Sequence, residues 1–304
     1  MSVSTREAYG RALVTLAPDN EFLVLDADLA EATQTRYFKK EYPQRFFDMG
    51  ISEADMMSTA AGMATCGKKV FASTFAMFAA GRAYEQIRNS IAYPNLPVVV
   101  AATHGGVMIG EDGASHQTVE DISLMRSMPN MTVVVPSDGY STTQLVKQAI
   151  NFDKPLYLRM GRGATADVYN NNEEITIGKG NVLKDGKDLT IIAVGELVTE
   201  ALKASEQLEA QGISAAVIDM HTVKPIDREL VTQYAKKTKN IITAEDHNII
   251  GGLGSAVAEI LAETNDAKLK RLGVNDQYGR SGTRAQLQQH FNLTAQGIID
   301  LYRK

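Results

Sequence analysis

The stretch Pro97-Val98-Val99-Val100-Ala101-Ala102-Thr103-His104-Gly105-Gly106-Val107-Met108-Ile109-Gly110-Glu111-Asp112-Gly113-Ala114-Ser115-His116-Gln117 decides the fold class of this chain. Its first part is an unbroken apolar run. Such a run is the pattern of a strand covered on both faces, as in a parallel sheet. Its second part holds four glycines, two of the chain's five histidines, and Glu111 and Asp112. Proton-transfer groups therefore follow the carboxyl end of a buried strand, where open α/β sheets collect ligands. Glycine lets the backbone bend sharply and approach a ligand closely. Taken alone, the loop is equally compatible with a glycine-rich surface turn carrying incidental charges.

The same pattern recurs on both sides. Ser4-Thr5-Arg6-Glu7 has the spacing of a capping box that opens a helix, with Ala8, Ala12, Leu13 and Leu16 on its inner face. Residues 22–25 read as a buried strand with Asp26-Ala27-Asp28 at its end. Residues 54–66 read as a helix stopped by Gly67, 70–73 as a short strand and 79–92 as a helix. Further strands are expected at 132–135 and 156–158, with helices near 119–128 and 140–150. Buried strands alternating with amphipathic helices make a parallel sheet covered on both faces. The rhythm breaks at Asn170-Asn171-Asn172-Glu173-Glu174 and at the glycine turns up to Gly186, which read as a linker with a small hairpin. A second βα series then runs from Leu189 to Tyr302. The expected organisation is an α/β domain over 1–165, a linker over 166–188 and a smaller α/β domain over 189–304.

Composition narrows the function classes. A chain of 304 residues is expected to form about two domains. No apolar run of about 18 residues is present, so no membrane span is expected. Met1 to Arg6 lack the apolar core of a signal peptide, and the single cysteine, Cys66, suits a reducing compartment. Together these point to the cytoplasm. A net charge of −5 with no lysine-arginine block argues against a nucleic-acid partner.

The first half places Asp26, Asp28, Glu53, Phe75, Phe78, His104, Asp112, His116, Arg159 and Arg162 at expected strand ends and loops. The chain has no paired cysteines and no two histidines on one helical turn, so no metal site is expected. There is no Gly-x-Ser-x-Gly nucleophile elbow. Gly251-Gly252-Leu253-Gly254 lacks the third glycine of a dinucleotide fingerprint. Acids, bases and aromatics without a metal cage or an evident nucleophile suit a cofactor that brings its own reactive carbon.

Six motifs carry a resemblance that spans nearly the whole chain. They are Gly50-Ile51-Ser52-Glu53, Ser73-Thr74-Phe75-Ala76-Met77-Phe78, the segment from Ala102 to Gln117, Arg126-Ser127-Met128-Pro129-Asn130-Met131, Pro136-Ser137-Asp138, and the segment from Glu245 to Ala256. In these the chain resembles the latter half of the transketolase family. The resemblance implies a domain that binds the pyrimidine of thiamine diphosphate, followed by the family's C-terminal domain. The family's diphosphate and metal site uses Gly-Asp-Gly with a downstream asparagine, and this chain contains no Gly-Asp-Gly. The resemblance therefore implies the C-terminal subunit of a split transketolase. A partner N-terminal subunit would hold the diphosphate and its Mg2+ or Ca2+, in an α2β2 assembly.

Residue by residue, Glu53 resembles the carboxyl that bonds the pyrimidine N1′ and so activates the cofactor. Phe75 and Phe78 resemble the pyrimidine stacking pocket. Gly81 falls where a third aromatic often follows, with Tyr84 one turn further on. Asp28 resembles an aspartate beside the cofactor's thiazolium. His104 and His116 resemble the pair that bonds and protonates the donor sugar, a role suited to imidazole. Asp112 resembles the carboxylate that reads the α-hydroxyl configuration. Arg6 and Arg162 resemble the arginines that grip the sugar phosphate, which guanidinium forks fit well. Ala32 stands where a phosphate-binding serine is often found, and Thr33 and Thr35 are the nearby hydroxyls able to replace it. His221, His247 and His290 read as structural or interfacial.

The activity so implied is transfer of a two-carbon ketol unit between sugar phosphates. Alternatives are the β subunit of a 2-oxo-acid dehydrogenase and a non-catalytic scaffold subunit. His104 speaks against the first, since that related group usually lacks it. The joint presence of Glu53, His104, Asp112 and His116 speaks against the second.

Overall fold

The computed structural model describes residues 3–170 and 172–304. Met1 and Ser2 of the expected N-terminal segment, and Asn171 of the expected linker, lie outside the described residues. The first half runs α1 (Thr5–Leu16), β1 (Leu23–Asp26), α2 (Ala30–Thr33), α3 (Arg36–Glu41), β2 (Phe46–Asp48), α4 (Glu53–Thr65) and β3 (Val70–Phe75). It continues with α5 (Tyr84–Gln86), β4 (Val98–Thr103), α6 (Asp121–Ser127), β5 (Thr132–Val134), α7 (Gly139–Ile150) and β6 (Leu156–Arg159). The second half runs β7 (Asn181–Lys184), β8 (Leu189–Ala193), α8 (Leu197–Glu209), β9 (Ala215–Asp219), β10 (Thr222–Lys224) and α9 (Arg228–Thr238). It closes with β11 (Asn240–Asn248), α10 (Leu253–Thr264), β12 (Lys268–Val274), α11 (Arg284–His290) and α12 (Ala295–Arg303). No helix among the described residues is long and apolar enough to cross a membrane.

The fold class is the α/β arrangement expected from the sequence. One sheet has the order β10-β5-β6-β4-β3-β1-β2 and the other the order β12-β11-β8-β9-β7. Every pairing is parallel except β10 on β5 and β7 on β9. The central strands β3 and β4 are buried along their whole length, as their apolar runs require. β10 belongs to the second half of the chain yet extends the first sheet. One apolar cluster accordingly runs from Met56 and Val100 through Val133 to Ile192, Ile218 and Val257. This shared core fixes how the two halves meet.

Several local expectations need correction. Ser4 accepts from the Glu7 amide at 3.3 Å, but Glu7 turns outward to Arg11, so only half of the capping box forms. Residues 181–184 do not close a hairpin of their own; they pair with β9, which has a free edge to offer. The helix expected over 79–92 is a short α segment between two π-helical ones, Phe78–Arg82 and Ile87–Ala92. β3 extends to Phe75, which brings that ring to the strand end.

Candidate active site

β6, β4, β3 and β1 are neighbours and all parallel, so their carboxyl ends share one rim. From left to right they deliver Arg159, Thr103 with His104, Phe75, and Asp26. Glu53, the first residue of α4, follows β2 on the same rim. The sequence placed these groups hundreds of atoms apart; the parallel order collects them.

The middle of the rim is an aromatic stack. The Phe75 and His104 rings are stacked with centroids 3.9 Å apart, and Phe75 and Phe78 are stacked nearly parallel at 5.7 Å. His116 stands edge-on to Phe78 at 5.4 Å and to Phe75 at 6.2 Å. His104 occupies left-handed backbone at φ +60° and is buried, with Nδ1 2.9 Å from Thr103 Oγ1. A non-glycine residue in that region costs free energy, and such strain collects at functional sites. Burial, with help from Arg6 and Arg162, pushes the His104 imidazole down to about 3. It is therefore neutral across the physiological range, a hydrogen-bonding group with one ring nitrogen donating and the other accepting.

Glu53 is 1% exposed. Oε2 accepts from Arg82 Nη1 at 2.8 Å, while Oε1 is buried with no partner. A buried carboxylate oxygen left unpaired is costly. Arg82 lies over the Phe78 ring at 4.6 Å, which sets Glu53 beside the stack. An unpaired carboxyl oxygen next to flat aromatic faces fits a planar heterocycle whose ring nitrogen can share a proton with it, and an aminopyrimidine has that form.

A second cavity, of about 400 Å³, lies between Arg6, Met108, Ile109, Glu111, Arg162 and Arg284. Arg6 Nε donates to the Arg162 carbonyl at 2.9 Å and Nη1 to the Ala32 carbonyl at 2.6 Å. Arg162 Nη1 donates to the Ile109 carbonyl at 2.6 Å and lies 3.8 Å from Asp112 Oδ2. Burial and the neighbouring Arg162 charge pull the Arg6 guanidinium down from its ordinary value. Two cations held together by backbone carbonyls favour an anion between them. Thr33 and Thr35 do not serve that cavity. Both are fully buried and donate to Asp26, at 2.7 and 2.9 Å, so neither can replace the serine that Ala32 displaces.

Asp26 and Asp28 also part company. Asp28 is exposed, at φ +60°, and lines a cavity of about 790 Å³ with Leu29, Arg36 and Lys39. Asp26 is buried and accepts further from the Leu29 amide at 2.6 Å. Burial pushes its carboxyl up to about 6 against those three donors. It organises the turn that carries Asp28.

The second half of the chain braces the His104–His116 loop, which the sequence did not disclose. Asp246 accepts from the Val107 and Met108 amides at 2.9 and 3.1 Å. Gly106, at φ +89°, has no room for a Cβ, which would run into the Asp246 carboxylate. Arg159 is buried against Asp121 at 2.8 Å and donates to the Asp246 carbonyl at 2.8 Å. Gln117 Nε2 donates to the carbonyls of Val107 and Arg280, at 3.1 and 2.9 Å. The loop is thus a buttressed element and not a free surface turn. The remaining histidines sit elsewhere. His221 bonds Asn181 and Thr222, His247 accepts from the Ser123 amide across the two halves, and His290 packs on Phe291. Asp246 lies inside a quoted motif, but its partners 138 and 139 residues away carry no sequence signal.

Comparison with known proteins agrees with this architecture. Residues 1–167 match the model of the transketolase pyrimidine-binding domain and residues 178–298 that of the transketolase C-terminal domain. A protein of Methanocaldococcus jannaschii named as a transketolase C-terminal section is 51% identical over 96% of this chain and 93% of its own length. The 6-deoxy-6-sulfo-D-fructose transketolase subunit SqwH of a Clostridium species is 40% identical over 97% of this chain and 92% of its own. A split-gene transketolase solved as an inactive β4 tetramer is 48% identical, superposes with a TM-score of 0.91, and is covered over 98% of its length. Single-chain relatives are about twice as long, and the chain spans 49% of human transketolase. Matched along both halves and to relatives that are themselves split, the chain belongs to the transketolase family.

Proposed function

We propose that this chain is the C-terminal subunit of a two-chain transketolase that moves a two-carbon ketol unit between sugar phosphates. The observation that carries this reading is the unpaired Glu53 Oε1, buried beside the Phe75–Phe78–His104 stack. It fits the aminopyrimidine of thiamine diphosphate, with Glu53 toward N1′ and Phe75 and Phe78 against the ring. When bound, thiamine diphosphate supplies the nucleophilic carbon that the chain itself lacks. The diphosphate and its Mg2+ or Ca2+ are assigned to an N-terminal partner, in an α2β2 assembly, because the sequence contains no Gly-Asp-Gly.

The chain's own residues orient the sugar and handle its protons. His104, neutral, bonds a substrate hydroxyl in a fixed direction and excludes water from the stack. His116, only partly buried and edge-on to both phenylalanines, is placed to exchange protons with the substrate. Asp112 reads the neighbouring hydroxyl from the loop between them. Asp28, exposed at the end of β1, is assigned to the thiazolium side of the cofactor. Arg6 and Arg162 grip the phosphate or a like anion at the far end, and the anion shields them from one another.

Reconstitution tests the reading. The chain alone is expected to show no ketol transfer, and a partner carrying Gly-Asp-Gly and the downstream asparagine restores it with xylulose or fructose phosphates as donor. Robust turnover by the single chain, or a restored activity confined to 2-oxo acids with a lipoyl acceptor, contradicts it. The inactivity of the neighbouring β4 tetramer supports a subunit that needs its partner.

A further inference from the structure

The two oxygens of Glu53 are unlike. Oε2 is bonded to Arg82 and Oε1 is unpaired. The same arginine rests on Phe78, so one side chain touches both the carboxylate and the stack. The π-helical turn Phe78–Arg82 brings it there, by carrying more residues per turn than an α-helix; such turns are frequent at functional sites. Next to Arg82, Gly81 carries no side chain, the room for a Cβ being taken by the Met77 methyl, and the Tyr84 hydroxyl is turned toward Ser127 Oγ, 3.5 Å away.

A glutamate's terminal torsion is broad, so a free carboxylate presents its oxygens loosely. A guanidinium never loses its charge in a protein, and it binds one oxygen from a fixed direction. Arg82 fixes that orientation by bonding Oε2 at 2.8 Å.

We propose that Arg82 is the positioning residue of the pyrimidine pocket. It holds Glu53 by Oε2 so that Oε1 alone meets the ring nitrogen of a bound aminopyrimidine across one shared proton, taken up from solvent on binding, and its stem covers the Phe78 face. This rests on the assignment of Glu53 to that nitrogen.

The test uses the full chain and two probes. One is 4-amino-5-hydroxymethyl-2-methylpyrimidine. The other is its analogue with carbon in place of ring nitrogen N1. Affinities are read by ligand-detected NMR titration, with no turnover involved. The native chain is expected to prefer the pyrimidine by about tenfold or more, the worth of one hydrogen bond to a charged group. In Arg82→Ala the preference falls below ~3-fold, whatever happens to the absolute affinities, and Arg82→Lys retains most of it. Arg82→Met, which keeps an apolar stem over Phe78, stands in if the alanine variant does not fold. Full preference in the alanine or methionine variant, with both probes weakened equally, shows that Arg82 only covers the Phe78 face; it overturns the proposal and leaves Glu53 in its role. No preference in the native chain overturns both.

Discussion

Replacing Asp246 by alanine probes the joint between the two halves. Its carboxylate accepts two backbone amides, from Val107 and Met108, at 2.9 and 3.1 Å, and it is buried. Hydrogen bonds to a charged group contribute about 1.5–3 kcal/mol each, so the two amount to roughly 3–6 kcal/mol gross. Burial works against this, since it raises the Asp246 carboxyl above its ordinary range, with Arg159 opposing that rise. The net loss on truncation is therefore about 2–4 kcal/mol, within the span for breaking a buried polar network. With a urea slope of about 3 kcal/mol/M for a chain of this size, the midpoint falls by roughly 1 M. Amide exchange of Val107 and Met108 accelerates, because both lose their acceptor. Asp246→Asn keeps one accepting oxygen and is expected to lose about half as much. Ketol transfer by the reconstituted pair falls too, since His104 and His116 sit at the two ends of the released loop. A midpoint within ~0.2 M of the native chain, or unchanged exchange at both amides, would refute the brace.

Three further outcomes are expected. In a partner-reconstituted enzyme, Glu53→Gln slows hydrogen–deuterium exchange at the cofactor C2 by about 10²–10⁴-fold, and exchange at the native rate removes Glu53 from that role. Arg162→Ala raises KM for a phosphorylated ketose roughly 10–100-fold while leaving hydroxypyruvate nearly unchanged; equal losses for both donors assign Arg162 to the fold and not to phosphate. Asp219 is buried with Ser137 and Tyr169 donating to one oxygen, and burial pushes its carboxyl up to about 7. The native state thus binds the proton more tightly than the unfolded chain, and stability is lost as pH rises from about 4 through about 7. The limit is about three decades at about 1.4 kcal/mol, roughly 4 kcal/mol. Urea melts at pH 5 and pH 8 should show a smaller difference for Asp219→Asn than for the native chain, and an identical difference would count against this origin.

Much of the site was legible because strand ends announce themselves. An apolar run followed by glycines and histidines places His104 at the end of β4 without knowledge of the fold. Phe75, Phe78 and Glu53 were singled out by what the family resemblance of their short motifs implies. Arg82 was not legible. A helix read at 3.6 residues per turn over 79–92 assigns each side chain a face by regular steps, and a π turn shifts that register. The resemblance singled out Asp28, but the burial of Asp26 under Thr33 and Thr35 was hidden, since two carboxylates two residues apart look alike in the sequence.

The sequence by itself determined the parallel βα order, and hence that the chemistry-bearing loops share one rim. Local pattern suffices for that, because burial on both faces and turn chemistry are encoded within a few residues. Only the tertiary structure decided that Asp246 and Gln117 brace the loop, that β10 crosses into the first sheet, and that His104 is held neutral. Those outcomes depend on pairings between residues far apart in the sequence and on the removal of water around a side chain. Neither is a property of any short stretch; both arise when the two halves close on a common core.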